Sequence, residues 1–292
     1  LLMAFLSYLI GGLGLGSVYA IIALGYSMVY GIAKMLNFAH GDVIMVGAFM
    51  AYFAISKYHL PILVGVALAV VVCTVLGVVI ERLAYKPLRH ASSLSVLITA
   101  IGVSYFLQNS AMLLWGTDTK IFPTVLSGSL NIGSLSVPYL TLITILTCIV
   151  IMVVLTLFIN RTKTGRAMRA CSEDKGAAAL MGINVNRIIS ITFAIGSGLA
   201  AIASVLLVAT YPSVYPTLGS MPGIKAFTAA VFGGIGSIPG AFLGGLVLGV
   251  VENLSRAYIS TQLSDAIVFL VLIVVLLIKP TGLLGKKVNV KV

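Results

Sequence analysis

Long apolar runs without a charge dominate this chain. They cover residues 1–33, 61–80, 91–117, 121–160, 188–224 and 226–251, and several exceed the roughly 20 residues that a helix needs to cross a bilayer. Two shorter apolar stretches, 43–56 and 266–278, lie between charges. They fit a membrane only if tilted, partly shielded by protein or extended by tolerated polar ends. About eight helices are expected in all. A strand barrel is ruled out by period, since a lipid-facing strand alternates apolar and polar residues over about ten positions, whereas Thr141 to Ile159 and Ala266 to Ile278 are apolar all round. The expected fold class is therefore all-α, a polytopic transmembrane helical bundle with short or broken helices among its spans.

Composition agrees with the pattern: 60% hydrophobic residues, 9% charged residues and a mean hydropathy of +1.16 leave too little polar surface to cover a soluble globule. The first run lacks a basic region and a cleavage-type site and extends too far for a secretory signal, so it reads as a retained first helix. Short loops rich in Lys and Arg stay on the cytoplasmic side. This rule places Glu81 to Arg89, the 160–187 loop and the tail carrying Lys286, Lys287 and Lys291 inside. The segments around Lys57, from Trp115 to Val137 and from Tyr211 to Gly223 then face out, as does the N-terminus. Three crossings follow Tyr211, at about 222–236, 239–258 and 264–279, the first short and interrupted by Pro239. The net charge of +11 is accounted for by this orientation, so no nucleic-acid partner is expected.

Enzyme chemistry finds no foothold. Cys73 and Cys148 lie in apolar runs and Cys171 in a polar loop, so neither a disulfide framework nor a metal spacing is present. The nearest approach to a phosphate-binding loop is Gly282-Leu283-Leu284-Gly285-Lys286-Lys287, which lacks the required spacing. No catalytic residue, metal or nucleotide of the chain's own is expected.

The one long polar stretch, from Asn160 to Arg187, carries Arg161, Lys163, Arg166, Arg169 and Lys175 against Glu173 and Asp174. Its inner part, 165–184, reads as a helical stretch of small residues flanked by charge and closed by glycine. A membrane protein that extends such a helix outward has a docking element. Two further places break the apolar pattern: Lys34 to Asp42 in the first half, and Leu218 to Lys225 with Gly233 to Gly240 in the second. Irregular backbone at membrane depth is tolerated only where protein or a water-filled path satisfies it, and transporters place such breaks in matching positions of two halves. Asn37, His40 and Asp42 form the most polar cluster, and two readings of it stand. Either Asn37 caps the next helix with Asp42 in its first turn, or the cluster lines a pathway or gate. Lys225 and Glu252 either mark a lumen or, for Lys225, snorkel to the outer interface, the simpler account. Glycines four residues apart, Gly12 and Gly16, then Gly236, Gly240 and Gly244, then Gly245 and Gly249, let helix backbones approach closely, within one subunit or between two.

Several blocks together resemble the LivH-type permease of branched-chain amino-acid ABC importers: Tyr26 to Gly31, Leu36 to Asp42, Gly165 to Asp174, Met181 to Asn184 and Lys225 to Gly240. The resemblance implies one transmembrane permease domain over 1–292, with 160–187 as its cytoplasmic coupling loop, in the bacterial inner membrane. It implies as partners a second LivM-like permease, two cytoplasmic ABC ATPases that hold ATP-Mg, and an extracytoplasmic solute-binding protein delivering leucine, isoleucine or valine. In such importers the ATPase-contacting loop carries Glu-Ala-Ala, three residues, then Gly. Here Gly176-Ala177-Ala178 and Gly182 align, and the leading Glu is missing although Glu173 lies one turn upstream. Expected coupling residues are Arg166, Arg169, Glu173, Asp174, Ala177, Ala178, Gly182 and Asn184. Pathway or gate candidates are Asn37, His40, Asp42, Lys225, Gly233, Gly234 and Gly236. The loop has an alternative partner in membrane lipid, on whose anionic headgroups an amphipathic segment can rest. Related permeases for urea, short amides or sugars remain an alternative in substrate, and a secondary transporter or channel an alternative in class.

Overall fold

A computed structural model describes residues 2–89, 91–132 and 135–285. The tail lysines used above for orientation lie outside the described residues. The helices are α1 (Leu2–Ala33), α2 (His40–Tyr52), α3 (Ile62–Ile80), α4 (Ser93–Trp115), α5 (Tyr139–Arg161), α6 (Lys163–Glu173), α7 (Lys175–Leu180), α8 (Val185–Thr210), α9 (Ser220–Gly233), α10 (Ile238–Tyr258) and α11 (Ser264–Ile278). Among the described residues six helices, α1, α3, α4, α5, α8 and α10, are long and apolar enough to cross a membrane. α2, α9 and α11, with 13, 14 and 15 residues, are shorter. α11 is the one shorter apolar helix beside those six among the described residues, so the expected figure of about eight spans is approximate.

Local chemistry sets the helix starts. Ser92 accepts from Ser95 N ahead of α4, Thr162 from Gly165 N ahead of α6, Asn184 from Arg187 N ahead of α8, and Ser237 from Gly240 N ahead of α10. Each uses a side-chain oxygen to satisfy an amide that the helix leaves without a partner. Pro239 therefore does not interrupt a crossing. It sits in the first turn of α10, where its missing N–H costs nothing.

The core centres on α1, which packs against α10 along one seam and against α8 along another, with α8 in turn covered by α2 and α3. A methyl group on Gly249 would lie 2.1 Å from Gly16 Cα, and one on Gly245 would lie 2.4 Å from Ala20 Cα. The four-residue glycine spacing thus packs helices inside one subunit. α8 is largely buried, whereas α4 and α5 leave most of their surface outside. Two small antiparallel ribbons cap the end away from α6 and α7. β1 (Lys120–Ile121) pairs with β4 (Ser213–Val214), Lys120 opposite Val214, and β2 (Ser129–Ile132) pairs with β3 (Leu135–Pro138), Ser129 opposite Pro138. The end carrying α6 and α7 is called the loop side below, and the ribbon end the far side.

Candidate functional site: a projecting loop and two meeting half-helices

The expected single helix over 165–184 is two helices. Asp174 has an extended backbone, φ −152° and ψ 115°, and its carboxylate accepts from Ala177 N at 3.0 Å, so it ends α6 and caps α7. α6 is held down by an apolar stripe at three-residue spacing, Gly165, Met168 and Cys171, all buried. Burial pushes the Cys171 thiol up. Arg169 donates to Asn160 at 3.2 Å. Among the described residues Arg166 and Glu173 form no ion pair, and both are exposed.

α7 is tethered at one end and bare at the other. Its first residue, Lys175, donates to the Ala33 carbonyl at the end of α1 at 2.6 Å. Burial, then the neighbouring cations Arg89 and Lys34, hold its ammonium below the ordinary lysine range. Ala178 is buried, Ala177 exposed. Gly182 closes the helix at φ +82° with its amide bonded to Ala179 O, and Ile183 N bonds to Ala178 O. That left-handed closure is one a glycine adopts without a Cβ penalty. Between them Leu180 and Met181 stand 91% and 83% exposed. The expected coupling residues are the charged and small ones of this loop, together with Asn184, and do not include these two. Their signal was two large apolar side chains in an otherwise polar stretch. Asn184 caps α8 and so directs the chain back into the bundle. There Ser190 of α8 donates to Glu81 at 2.6 Å, and Arg89 bridges Glu81 and Asn186, tying α8 to the end of α3.

At the first break, α1 turns at Lys34, φ +57°, and the chain climbs to His40. Asn37 does not cap α2. The cap position belongs to Ala39, which makes no side-chain bond, and Asn37 Oδ1 accepts from the Tyr85 hydroxyl at 2.9 Å. Asp42 does lie in the first turn, yet its carboxylate reaches across to Gln108 Nε2 of α4 at 2.8 Å. The same amide lies 3.3 Å from Ser220 Oγ, the first residue of α9. Gln108 stands seven residues from the far-side end of α4, about 10 Å along the helix. The N-termini of α2 and α9 therefore meet inside the bundle, where α2 rises toward the far side and α9 runs to the loop side. They touch directly: a methyl group on Gly219 would lie 1.7 Å from Gly41 O. Asp42 places a carboxylate at two positive helix ends. His40 is buried against the Tyr26 ring, centroids 4.6 Å apart.

Removing the amide that joins these three helices has a definite expected cost. Gln108→Leu should leave Asp42 short of a donor and lower stability by roughly 1–3 kcal/mol, read as a lower thermal midpoint of the detergent-solubilised protein. An unchanged midpoint would mean the contact carries no weight.

The structure does not bring all pathway candidates together. Gly233, Gly234 and Gly236 lie at the opposite end of α9, in the turn to α10, about 20 Å from its start. That turn is packed: Leu283 N and Leu284 N bond to Phe232 O and Gly233 O, and Gly236 N bonds to Ser27 Oγ. Lys225 does not snorkel. Only 4% exposed, it bonds to Glu252 Oε1 of α10 at 2.7 Å and Asp265 Oδ1 of α11 at 2.6 Å. Arg256 pairs with the same Glu252 oxygen. A buried ammonium needs such partners, since an unpaired one is too costly.

Residues 8–276 match the family described as branched-chain amino acid transport system / permease component. The chain is 47% identical to the high-affinity branched-chain amino acid transport system permease protein BraD of Pseudomonas aeruginosa, over 97% of this chain and 96% of that protein. It is 45% identical to the corresponding permease protein LivH of Escherichia coli, with the same shares covered. Among solved structures, PsaBC from Streptococcus pneumoniae in complex with Fab has a similar fold, with a TM-score of 0.51 at 14% identity over 98% of this chain and 97% of that one.

Proposed function

Because the chain belongs to the branched-chain amino acid transport system permease family, we propose that it is the membrane permease subunit of an ATP-driven importer of leucine, isoleucine and valine. It works with a second, LivM-like permease, two cytoplasmic ABC ATPases and an extracytoplasmic solute-binding protein. The loop side faces the cytoplasm, as its basic short segments favour. ATP-Mg is held by the ATPases, and no step of hydrolysis uses a residue of this chain.

One observation carries the reading: the apolar tip of Leu180 and Met181, exposed on a loop whose backbone is otherwise capped and tethered. An apolar pair on a short rigid helix fits a groove on another protein, and the exposed Arg166, Arg169 and Glu173 around it can orient the contact. Movement of the ATPases then shifts α7. Lys175 passes that shift to the end of α1, and Asn184 passes it to α8. Both lead to the crossing where α2 and α9 meet, so closure on the loop side can open the far side to a loaded binding protein. ATP free energy thus acts mechanically, as alternating access.

Co-expressed with its partners, the chain should co-purify with two ATPases and a second permease, with leucine uptake strictly dependent on ATP. ATP-independent leucine accumulation by vesicles holding this chain alone would refute the assignment.

A further inference from the structure

The outer surfaces of the spans differ in chemistry. Every exposed position of α3 from Leu63 to Val79, and of α5 from Leu142 to Leu157, carries Leu, Ile, Val or Ala, a surface as apolar as the acyl chains around it. α4 departs from this. Ile98, Gly102, Tyr105, Asn109 and Leu113 recur at three- and four-residue spacing, so they form one row along the helix, and all five are exposed. Tyr105, 63% exposed, stands about 15 Å from the nearer end of α4, far from the membrane–water interface where exposed tyrosines gather. Asn109 lies one turn further on. Its Nδ2 donates to Tyr105 O of the same helix at 2.7 Å, which leaves its amide oxygen to other partners. A Cβ on Gly102 would meet nothing within 4 Å, so the row has open space near its middle. An exposed amide and phenol at that depth are costly in hydrocarbon, and they are retained where protein or a water-filled path meets them.

The surroundings of the row favour a path. α4 packs chiefly on α2 and on residues 81–85 after α3, and the row points away from both. Gln108, on the flank of the row beside Tyr105, is itself partly exposed, and it is the residue that reaches Asp42 and Ser220 where α2 and α9 meet. The row thus runs from the loop side to the far side past the meeting point of the two half-helices. The geometry points to this row of α4 as one wall of an aqueous path for a small zwitterion, with the second permease closing the path opposite. Neutral wall groups suit transit: a fixed charge would hold the ammonium or the carboxylate, whereas the Asn109 amide and the Tyr105 hydroxyl replace part of the hydration of either and release it. The open surface at Gly102, between Ile98 and Tyr105 in the row, leaves room for a branched side chain. The inference deepens the importer reading and rests on it for the nature of the solute.

Thiol labelling of the complete importer in liposomes with a charged methanethiosulfonate distinguishes such a path from a lipid face. The chain's own Cys73, Cys148 and Cys171 are buried, so the wild-type importer supplies the background. Gly102→Cys and Asn109→Cys should label at least tenfold faster than Val150→Cys, a control on the exposed face of α5. Their rates should also change at least threefold between nucleotide-free and ATP-trapped states. Asn109→Leu removes a bond only within α4, so the importer should still assemble with its ATPases and second permease while leucine uptake falls at least fivefold. Labelling of both cysteines at the Val150→Cys rate overturns the path and leaves the importer reading standing, the row then facing lipid or a dry contact with the second permease. Full leucine uptake by Asn109→Leu overturns the wall as well. Fast labelling in a wild-type importer that takes up no leucine overturns the branched-chain reading instead, and leaves an aqueous path for another solute.

Discussion

Replacing Leu180 and Met181 together with aspartate is expected to abolish substrate-stimulated ATP hydrolysis and uptake while leaving the amount of protein in the membrane unchanged. Their side chains are 91% and 83% exposed, so the change removes little packing within the chain, and α7 keeps its Asp174 cap and its Lys175 tether. Apolar anchors at the centre of an interface typically cost about 2–4 kcal/mol when lost. At about 1.4 kcal/mol per tenfold, that is a factor of roughly 30 to 700 in affinity for the ATPases, before the repulsion of two buried charges is added. Gly182→Asp should act in the same direction. No atom lies within 4 Å of a Cβ placed there, so within the chain only the left-handed backbone resists it, by roughly 1 kcal/mol. Reversing the charge of the exposed Arg166 and Arg169 should weaken coupling less, since salt screens them. Pull-down of the ATPases at fixed permease abundance reads all three. Full ATPase binding by the Leu180 and Met181 double variant would remove the loop as the coupling element and leave it resting on lipid headgroups.

What the sequence disclosed and what it hid divide along the range of the interactions. Spans follow from uninterrupted apolar runs, and the breaks at Lys34 to Asp42 and Leu218 to Lys225 were visible because polar and glycine residues interrupt those runs. The helix caps at Thr162, Asn184 and Ser237 are equally local, each a polar residue three positions before the amide it satisfies, but none of them is among the caps expected from the sequence. Asn37 misled because its partner, Tyr85, is 48 residues away, just past the end of α3, and nothing local distinguishes an acceptor that caps from one that reaches across. Lys225 misled likewise: spacing along the chain does not reveal that α10 and α11 bring Glu252 and Asp265 to it, and a lone lysine near a helix end has snorkelling as its cheapest account. Gln108 was missed altogether, being a neutral residue in an apolar run whose importance comes from the two helix ends it joins. The meeting of α2 and α9 was half visible. Both breaks could be found, but their contact through Gly41 and Gly219 is a tertiary fact.

Gly249→Leu is expected to eliminate folded protein. The added Cβ would lie 2.1 Å from Gly16 Cα and 2.2 Å from Gly16 N, with Gly12 O at 2.9 Å. These are backbone atoms of a packed helix, so no side-chain rotation relieves the overlap, and Gly16 is already the smallest residue available. Relief requires α1 and α10 to separate along the seam where Gly245 meets Ala20 and Gly16 meets Leu246. Overpacking a core normally costs about 1–3 kcal/mol, but here the strain falls on two helix backbones at once. In a bilayer no hydrophobic effect drives the helices back together, because close packing itself supplies the attraction. The loss of many such contacts should exceed the marginal stability of a domain, about 5–15 kcal/mol. Gly102→Leu on α4 is the matched control, since a Cβ there meets nothing within 4 Å. Extraction in detergent followed by size-exclusion chromatography should give a monodisperse peak for Gly102→Leu and aggregate or no protein for Gly249→Leu. Equal yields of folded protein from the two variants would show that the α1–α10 seam does not hold the subunit together, and the four-residue glycine spacing would then belong to an interface with the second permease.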